Sequence, residues 1–286
     1  FKDQPLVKAS IQHTLGWTYK ELGEQTKAEQ HLEDAMRLYE EQLGEDHRQT
    51  LGRMHDLGWV YLAQNRLDDA HRILTRARQI IRRTHGKEDA VNNALGCLYS
   101  RMGRYKEAEA LFLKNVGIDW RERGKDYVPG YSAMNLARVY FHQGRYEEAE
   151  RLFLKLPGIS KAENPGKLQY TAKLADVYTA QGRYEDAEQL YKTSLEKCRE
   201  ALGEEHHLTV GSMAGLARLY TKQGRYPEAE RSFKEVWEGR KLELGPEHPH
   251  TIESLNQLIK LYEAWGKPEK AEEWREKLPQ TEAVEQ

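Results

Sequence analysis

The chain has little cysteine and no long hydrophobic run. Its 286 residues include two cysteines, Cys97 and Cys198. Two lone thiols without a disulfide framework are typical of a reducing compartment. No apolar run approaches the roughly 20 residues that a membrane helix needs, and no signal-peptide pattern is present. The sequence therefore predicts a cytoplasmic protein without a membrane partner.

The chain also has little net charge of either sign. It carries 44 Lys and Arg against 46 Asp and Glu, which gives a formal net charge of −2. This balance gives no general attraction for nucleic acid or an anionic membrane, so neither is expected as a partner. The mean hydropathy of −0.87 is low for a compact globule. It suits a thin two-layer stack with much solvated surface.

What is present is a phrase that occurs seven times. It consists of Leu, a small residue, Tyr four positions after the Leu, Gly four positions after the Tyr, and then Ala. Successive copies place this tyrosine at Tyr19, Tyr61, Tyr99, Tyr140, Tyr178, Tyr220 and Tyr262. These tyrosines are 42, 38, 41, 38, 42 and 42 residues apart. A period of this size indicates a solenoid, in which each unit buries its apolar face against its neighbours.

Each copy predicts an antiparallel pair of helices. Leu and Tyr four positions apart share one helical stripe, and the following Gly, or Asn65 in one copy, ends the first helix. The small residue after the Leu lets the second helix approach closely. Large apolar residues 17 positions after the Leu would pack that second helix back; they are Leu32, Leu74, Phe112, Phe153, Tyr191 and Phe233. About fourteen helices are expected.

This pattern resembles the tetratricopeptide repeat family over essentially the whole chain. Turns of the type Leu-Gly-x-x-His before His47, His206 and His248 are similar to the roughly 42-residue subtype of kinesin light chains and bacterial multidomain signalling proteins. The resemblance implies an all-α, right-handed superhelical solenoid of seven antiparallel helix pairs. It also implies a concave groove, lined mainly by the first helices, that holds a peptide or an extended protein segment.

The repeat also predicts the domain organisation. The repeats are expected at about 6–42, 48–84, 88–123, 129–157, 167–201, 207–243 and 249–278. Together they form one solenoid over residues 1–278, followed by a disordered tail at 279–286. The chain begins at Phe1 without Met, and Val7 and Ile11 lie on a first helix with no preceding layer. We therefore expect the chain to be part of a longer protein.

No catalytic motif accompanies the repeat. GxxxxGKS/T, GxGxxG, HExxH and CxxC are all missing from the sequence, so no enzymatic activity, cofactor or metal is predicted. His47, His206 and His248 occupy equivalent turns of different layers, which favours structural turn residues over a shared metal site. The adjacent pair of His206 and His207 leaves a chance zinc contact open.

In the resembled family, ligand contacts come mostly from positions two before, one before, two after, five after and six after the Leu of the phrase. Residues two before and two after the Leu are four apart and share a helix face. Carried onto this chain, these positions predict a groove site of His13, Trp17, His55, Trp59, Asn93, Asn135, Arg138, Arg218, Lys222, Asn256 and Lys260.

Two clusters stand out within this predicted site. His13 with Trp17, and His55 with Trp59, form a ladder of aromatic and imidazole rings that either contacts a partner or packs between layers. Cations and amides, among them Arg138 and Asn93, suit a carboxylate-rich or mixed-charge peptide. The alternative for this second cluster is an ordinary solvated helix face.

The middle of the array departs from the pattern. Gly117, Gly124 and the pair Pro129-Gly130 follow the third repeat, and Pro157-Gly158 follows the fourth. These residues predict shortened second helices and longer connectors at 115–130 and 157–167. Whether the connectors have drifted as surface loops or alter the groove stays open.

The repeat pattern bears on four candidate functions. The leading hypothesis is a non-catalytic scaffold that binds an extended peptide or protein segment in its groove. The alternative is a regulatory or sensory segment of a larger signalling enzyme, such as a kinase or an ATPase. An enzyme built on the repeat lacks a convergent set of nucleophile, base and orienting group. A nucleic-acid binder lacks both the net charge and a repeated base-reading code.

Overall fold

The computed structural model describes residues 4–22, 24–84, 86–123, 130–156, 165–204 and 206–279. Every regular element within these ranges is an α-helix, so the predicted all-α class is confirmed. The chain divides into two compact units, Phe1–Gly144 and Arg145–Gln286. The described ranges contain fourteen helices in the order of seven pairs, as predicted. The right-handed superhelix stays a prediction of the resemblance.

The first unit contains three successive helix pairs and one further helix. Its helices are α1 (Pro5–Glu21), α2 (Gln25–Leu43), α3 (Arg48–Ala63), α4 (Leu67–Thr84), α5 (Asp89–Arg101), α6 (Tyr105–Arg123) and α7 (Gly130–His142). Connectors within the pairs are short, and the one between α3 and α4 is three residues long. Helices joined in this way run antiparallel and pack side by side. First helices of successive pairs also contact each other, as α3 and α5 do.

The second unit begins with one helix and continues with three pairs. Its helices are α8 (Tyr146–Lys155), α9 (Pro165–Ala180), α10 (Tyr184–Leu202), α11 (His207–Lys222), α12 (Tyr226–Leu244), α13 (Pro249–Ala264) and α14 (Pro268–Arg275). Each helix from α8 onward contacts the next one along the chain. The predicted tail at 279–286 lies outside the described residues, apart from Pro279.

The helix ends follow the residues that the repeat places there. Asn65 has φ 59° and Gly103 has φ 72°, which is the left-handed conformation that ends a first helix. At the other end, the Nδ1 atom of His47 accepts a hydrogen bond from the Gln49 amide at 3.2 Å. The side chains that cap α3, α11 and α13 in this way belong to His47, His206 and His248. These histidines are N-caps, which confirms the structural interpretation.

Close packing within the first three pairs depends on the glycine after the repeat's Leu. The six large residues predicted to pack the second helix back are all at most 2% exposed. In the first unit, a methyl group added to Gly58 would lie 2.5 Å from Leu74, and one added to Gly96 would lie 2.6 Å from Phe112. Both distances are far inside van der Waals contact, so only glycine permits this helix spacing.

Gly96→Ala is therefore expected to destabilise the first unit by about 1–2 kcal/mol, because overpacking outweighs the better helix propensity of alanine. Gly117 of α6 is the matched control, since a methyl group there meets no atom within 4 Å. Gly117→Ala should stabilise by about 0.5–1 kcal/mol. Urea denaturation followed by circular dichroism measures both. Equal shifts of the two midpoints would contradict the packing account.

Two expectations about the irregular middle were wrong. Gly117 does not end α6, which continues to Arg123 and is as long as α2. The cost of one helical glycine, about 1 kcal/mol, is smaller than the gain from packing a long helix. Residues 165–167 are helical, because Pro165 occupies the first position of α9, where proline is tolerated. The predicted shortening is confirmed for α8, which has 10 residues; residues 124–129 and 157–164 lie outside the described ranges.

Candidate functional site

The first helices of the first unit bring the predicted groove residues onto neighbouring surfaces. His13 and Trp17 lie on α1, and His55 and Trp59 lie on α3. The next two layers contribute Asn93 on α5, with Asn135 and Arg138 on α7. Four successive layers therefore present their predicted positions within one compact unit.

The tryptophan and histidine ladder is made of hydrogen-bonded pairs. The Trp17 indole N–H donates to Nε2 of His13 at 2.8 Å, and Trp59 donates in the same way to His55 at 3.0 Å. The rings of each pair meet edge to face, with centroids 6.3 Å and 6.1 Å apart. Both indoles are half-buried and pack against the hydrophobic core. The indoles thus have a packing role, while part of each ring stays accessible.

Asp56 connects the two rungs of the ladder, and it is not among the site residues that the repeat positions predicted. Its carboxylate lies 3.0 Å from Nε2 of His13 and 3.4 Å from Nε of Arg53. Burial alone would raise the pKa of Asp56, but contacts with His55, Arg53 and His13 lower it. Burial and the Arg53 charge lower the pKa of His13 despite Asp56, so His13 is neutral at neutral pH. Asp56 stands one position before its repeat's Leu, as Asn135 does, and that position was the available signal.

A cavity of about 270 Å³ lies where α3, α5, α6 and α7 meet. Its lining includes three of the predicted site residues, together with residues five or six positions from the repeat's Leu. The lining residues that bear on recognition are Trp59, Cys97, Arg101, Asn135, Arg138 and His142. The structure therefore brings one aromatic ring, one amide and one guanidinium of the predicted set to a single concave surface, which we call the groove cavity.

The amides at the groove cavity are linked across layers. Asn135 donates from Nδ2 to Oδ1 of Asn93 at 3.1 Å and approaches the Cys97 sulfur at 3.5 Å. Burial raises the pKa of the Cys97 thiol to about 11, although the charges of Arg138 and Arg101 oppose the change. The thiol is therefore protonated at neutral pH and is a poor nucleophile. The groove cavity is suited to hydrogen bonding and charge pairing.

Arg138 is the available cation at this cavity. Its side chain is exposed, and it forms neither a hydrogen bond nor an ion pair within the described part of the chain. Arg101, by contrast, donates to the carbonyl oxygen of Leu62. An unpaired guanidinium beside amides can grip an incoming carboxylate through two parallel hydrogen bonds.

The second unit holds the remaining predicted residues, and its three cations differ in whether a carboxylate already pairs with them. Arg218 on α11 lies 3.2 Å from Asp176, so its charge is already compensated. Burial alone would raise the pKa of Asp176, but Lys173, Arg218 and the Tyr191 hydroxyl lower it. Lys222 on α11 and Lys260 on α13 are exposed and unpaired among the described residues.

The predicted cluster of cations and amides is therefore divided between the units. Asn93, Asn135 and Arg138 belong to the first unit. The four members in the second unit are Arg218, Lys222, Asn256 and Lys260. Asn256 is half-buried on α13, one turn before Lys260. Within the described ranges, no group of three or more His, Cys, Asp or Glu side chains is arranged to hold a metal ion.

None of the described helices combines the length and the apolarity required to cross a membrane.

The fold and the groove define a repeat protein made of helix pairs. Sequence comparison identifies the repeat: one tetratricopeptide repeat model matches residues 7–83 and 168–242, which is more than half of the chain. A second tetratricopeptide repeat model matches residues 93–118 and 131–156, and a PPR repeat model matches residues 253–280. The chain belongs to the tetratricopeptide repeat family. No curated protein matches the sequence significantly.

Several solved structures have a similar fold. The STAND protein PH0952 from Pyrococcus horikoshii, which has a tetratricopeptide repeat sensor, matches at 14% identity with TM-score 0.62, over 95% of this chain and 40% of that one. NprR in complex with its cognate peptide NprX matches at 20% identity with TM-score 0.61, over 91% of this chain and 77% of that one. BtubC (BKLC) from P. vanneervenii matches at 20% identity with TM-score 0.55, over 74% of this chain and 88% of that one. At these identities the likeness concerns the fold.

Proposed function

We propose that the chain is a non-catalytic module that binds an extended acidic or mixed-charge peptide or protein segment along its first helices. The observation that carries the proposal is the groove cavity, where unpaired Arg138 stands beside Trp59 and the linked amides of Asn93 and Asn135. The structure of NprR with its cognate peptide supports it, since that protein binds a peptide on a similar fold. Protein binding is also the usual role of tetratricopeptide repeats.

The binding mechanism follows from the rigidity of the stacked helices. Side chains from three layers are held at fixed spacing, so an extended ligand meets them with little loss of conformational entropy in the protein. Arg138 supplies a charge-assisted hydrogen bond to a ligand carboxylate. Trp59 supplies apolar contact area at low entropic cost, because its ring is already fixed by His55.

Selection from a random dodecapeptide library tests the proposal. Peptides captured by the protein should be enriched in Asp and Glu, and their affinity should weaken as ionic strength rises. Arg138→Gln should weaken binding of a selected peptide about 5–10-fold, the loss expected for one charge-assisted hydrogen bond. Isothermal titration calorimetry measures the affinities.

Arg72→Gln is the matched control, because Arg72 is exposed on the second helix α4. It should leave the affinity unchanged. Equal losses in both variants, or binding that is insensitive to salt, would count against a charged groove site.

A second candidate role is a regulatory or sensory segment of a larger signalling enzyme, such as a kinase or an ATPase. The observation that favours it is the match to the PH0952 sensor, where this chain spans 40% of the matched protein. Nucleotide turnover by the intact native gene product tests this role. Turnover that responds to the selected peptides supports it, and turnover that ignores them argues for a separate binding module.

A further inference from the structure

A second, larger cleft lies between the second and third repeats of the first unit. Its volume is about 660 Å³, within the range of about 300–1,000 Å³ that is usual for small-molecule sites. The walls come from the first half of α3, the last turns of α4 and the start of α5. The apolar lining includes Leu51, Ile81 and Val91. We call this space the interlayer cleft.

The cleft has a cause in the repeat spacing. α3 begins nine residues before Leu57, whereas α5 begins six residues before Leu95. The third repeat therefore lacks about one turn at the start of its first helix. The first turn of α3 has no facing turn of α5 to cover it. Gly52 lines the cleft, and a methyl group added to it would meet no atom within 4 Å.

The charged groups around the cleft leave one positive charge available. The charge of Asp56 is compensated by Arg53, whose Nε lies 3.4 Å from the carboxylate. Lys87 and Asp89 each interact with other groups of the protein. Arg48 is exposed and has neither a hydrogen bond nor an ion pair to any residue of the described ranges. The cleft thus combines an apolar interior with a free guanidinium at its rim.

We propose that the interlayer cleft binds a small organic acid with an aromatic or branched aliphatic body. The apolar body would occupy the space beside Gly52, between Leu51, Ile81 and Val91, and the carboxylate would pair with Arg48. A cationic ligand is disfavoured, because the Arg48 guanidinium would repel it. This site is distinct from the proposed peptide-binding surface, although the interlayer cleft and the groove cavity share one wall.

The shared wall is the hydrogen-bonded pair of His55 and Trp59. His55 lines the interlayer cleft, and Trp59 lines the groove cavity. A bound acid would contact the imidazole that holds the Trp59 indole in place. The interlayer cleft is therefore placed to influence the peptide surface, but acid binding itself is measured without any peptide.

Titration with 2-naphthoate tests the proposal, with 2-naphthylmethanol as its neutral counterpart. Amide resonances of residues 48–56 and 87–91 should shift in nitrogen–proton correlation spectra, and the acid should bind more tightly than the alcohol. Arg48→Gln should remove this preference and weaken naphthoate binding about tenfold, the loss expected for one charge-assisted contact. Absence of these shifts, or equal binding of acid and alcohol by the unmodified protein, would overturn the proposal.

Gly52→Leu provides the sharpest variant, because it fills the cleft at a helical position where leucine is favoured over glycine. It should weaken naphthoate binding at least about tenfold, since the ligand's space is then occupied, while leaving the melting temperature equal or higher. Gly211 is the matched control: it stands five residues before Leu216, as Gly52 stands before Leu57, and a methyl group there also meets nothing within 4 Å. Gly211→Leu should keep full binding. Retained binding by Gly52→Leu, or equal loss in Gly211→Leu, would contradict the site.

Discussion

Replacing Phe112 by alanine is expected to lower the free energy of unfolding by about 3–5 kcal/mol, the cost of emptying a fully buried aromatic site. Phe112 is 0% exposed. Its ring lies against Gly96 so closely that no methyl group fits between them. The backbones of α5 and α6 cannot collapse onto the vacated space without moving the neighbouring layers. A large residual cavity should therefore remain.

Leu113 is the neighbouring control on the same helix, and it is 44% exposed. Leu113→Ala should change stability by about 0.5 kcal/mol or less. Urea denaturation gives both free energies, and hydrogen exchange of α5 and α6 shows whether the loss is local, as expected for a repeat array. Similar losses for the two variants would show that Phe112 does not hold this pair together.

Replacing Glu88 by glutamine is expected to destabilise the first unit by about 2 kcal/mol at neutral pH, because one buried carboxylate holds three cations. Glu88 receives hydrogen bonds from Arg78 at 2.8 Å, Arg82 at 2.9 Å and Lys114 at 3.2 Å, and its side chain is 7% exposed. Although burial alone would raise it, these three partners lower the pKa of Glu88 from 4.5 to about 2. Arg82 and Lys114 are about half exposed, so solvent screening keeps the effect below that of a fully buried network.

The pH dependence of this effect has a definite sign. The folded-state pKa lies below the unfolded value, so the stabilisation is fully present above about pH 4.5 and is lost as the pH falls toward 2. The difference in stability between the unmodified protein and Glu88→Gln should therefore shrink over that interval. Denaturation curves recorded from neutral to acidic pH measure it.

Glu107→Gln serves as the comparison. Glu107 lies on α6, as Lys114 does, and forms an exposed ion pair with Arg104. Its stability should match that of the unmodified protein. A pH-independent difference for Glu88→Gln would mean that the carboxylate charge is not what holds the connector between α4 and α5.

The repeat phrase was sufficient to predict the helix pairs and their packing. Leu and Tyr four residues apart define one buried stripe, and a large residue 17 positions later must meet it, as Leu74 and Phe112 do. His47 could be assigned to a turn because equivalent turns recur. Its capping hydrogen bond explains why histidine stands there. These features depend on local spacing, which a sequence displays directly.

Other features depended on contacts between layers. Asp176 neutralises Arg218 across 42 residues, and Asp56 joins two rungs of the ladder. Such pairs depend on rotamers and on helix register, which the repeat positions do not specify. Gly117 lies within α6 because packing overrode its low propensity. The interlayer cleft follows from the late start of α5. The 38-residue spacing between Tyr61 and Tyr99 shows that residues are missing from this repeat, but only the helix limits show that they are missing from the start of α5.

Site-specific photo-crosslinking measures most directly whether the surface formed by the first helices is the working surface. Ser100 lines the groove cavity, whereas Leu113 is exposed on α6. With p-benzoylphenylalanine in place of Ser100, illumination should trap a selected acidic peptide, and the same group in place of Leu113 should not. Equal trapping at both positions, or trapping only at position 113, would contradict a binding surface on the first helices.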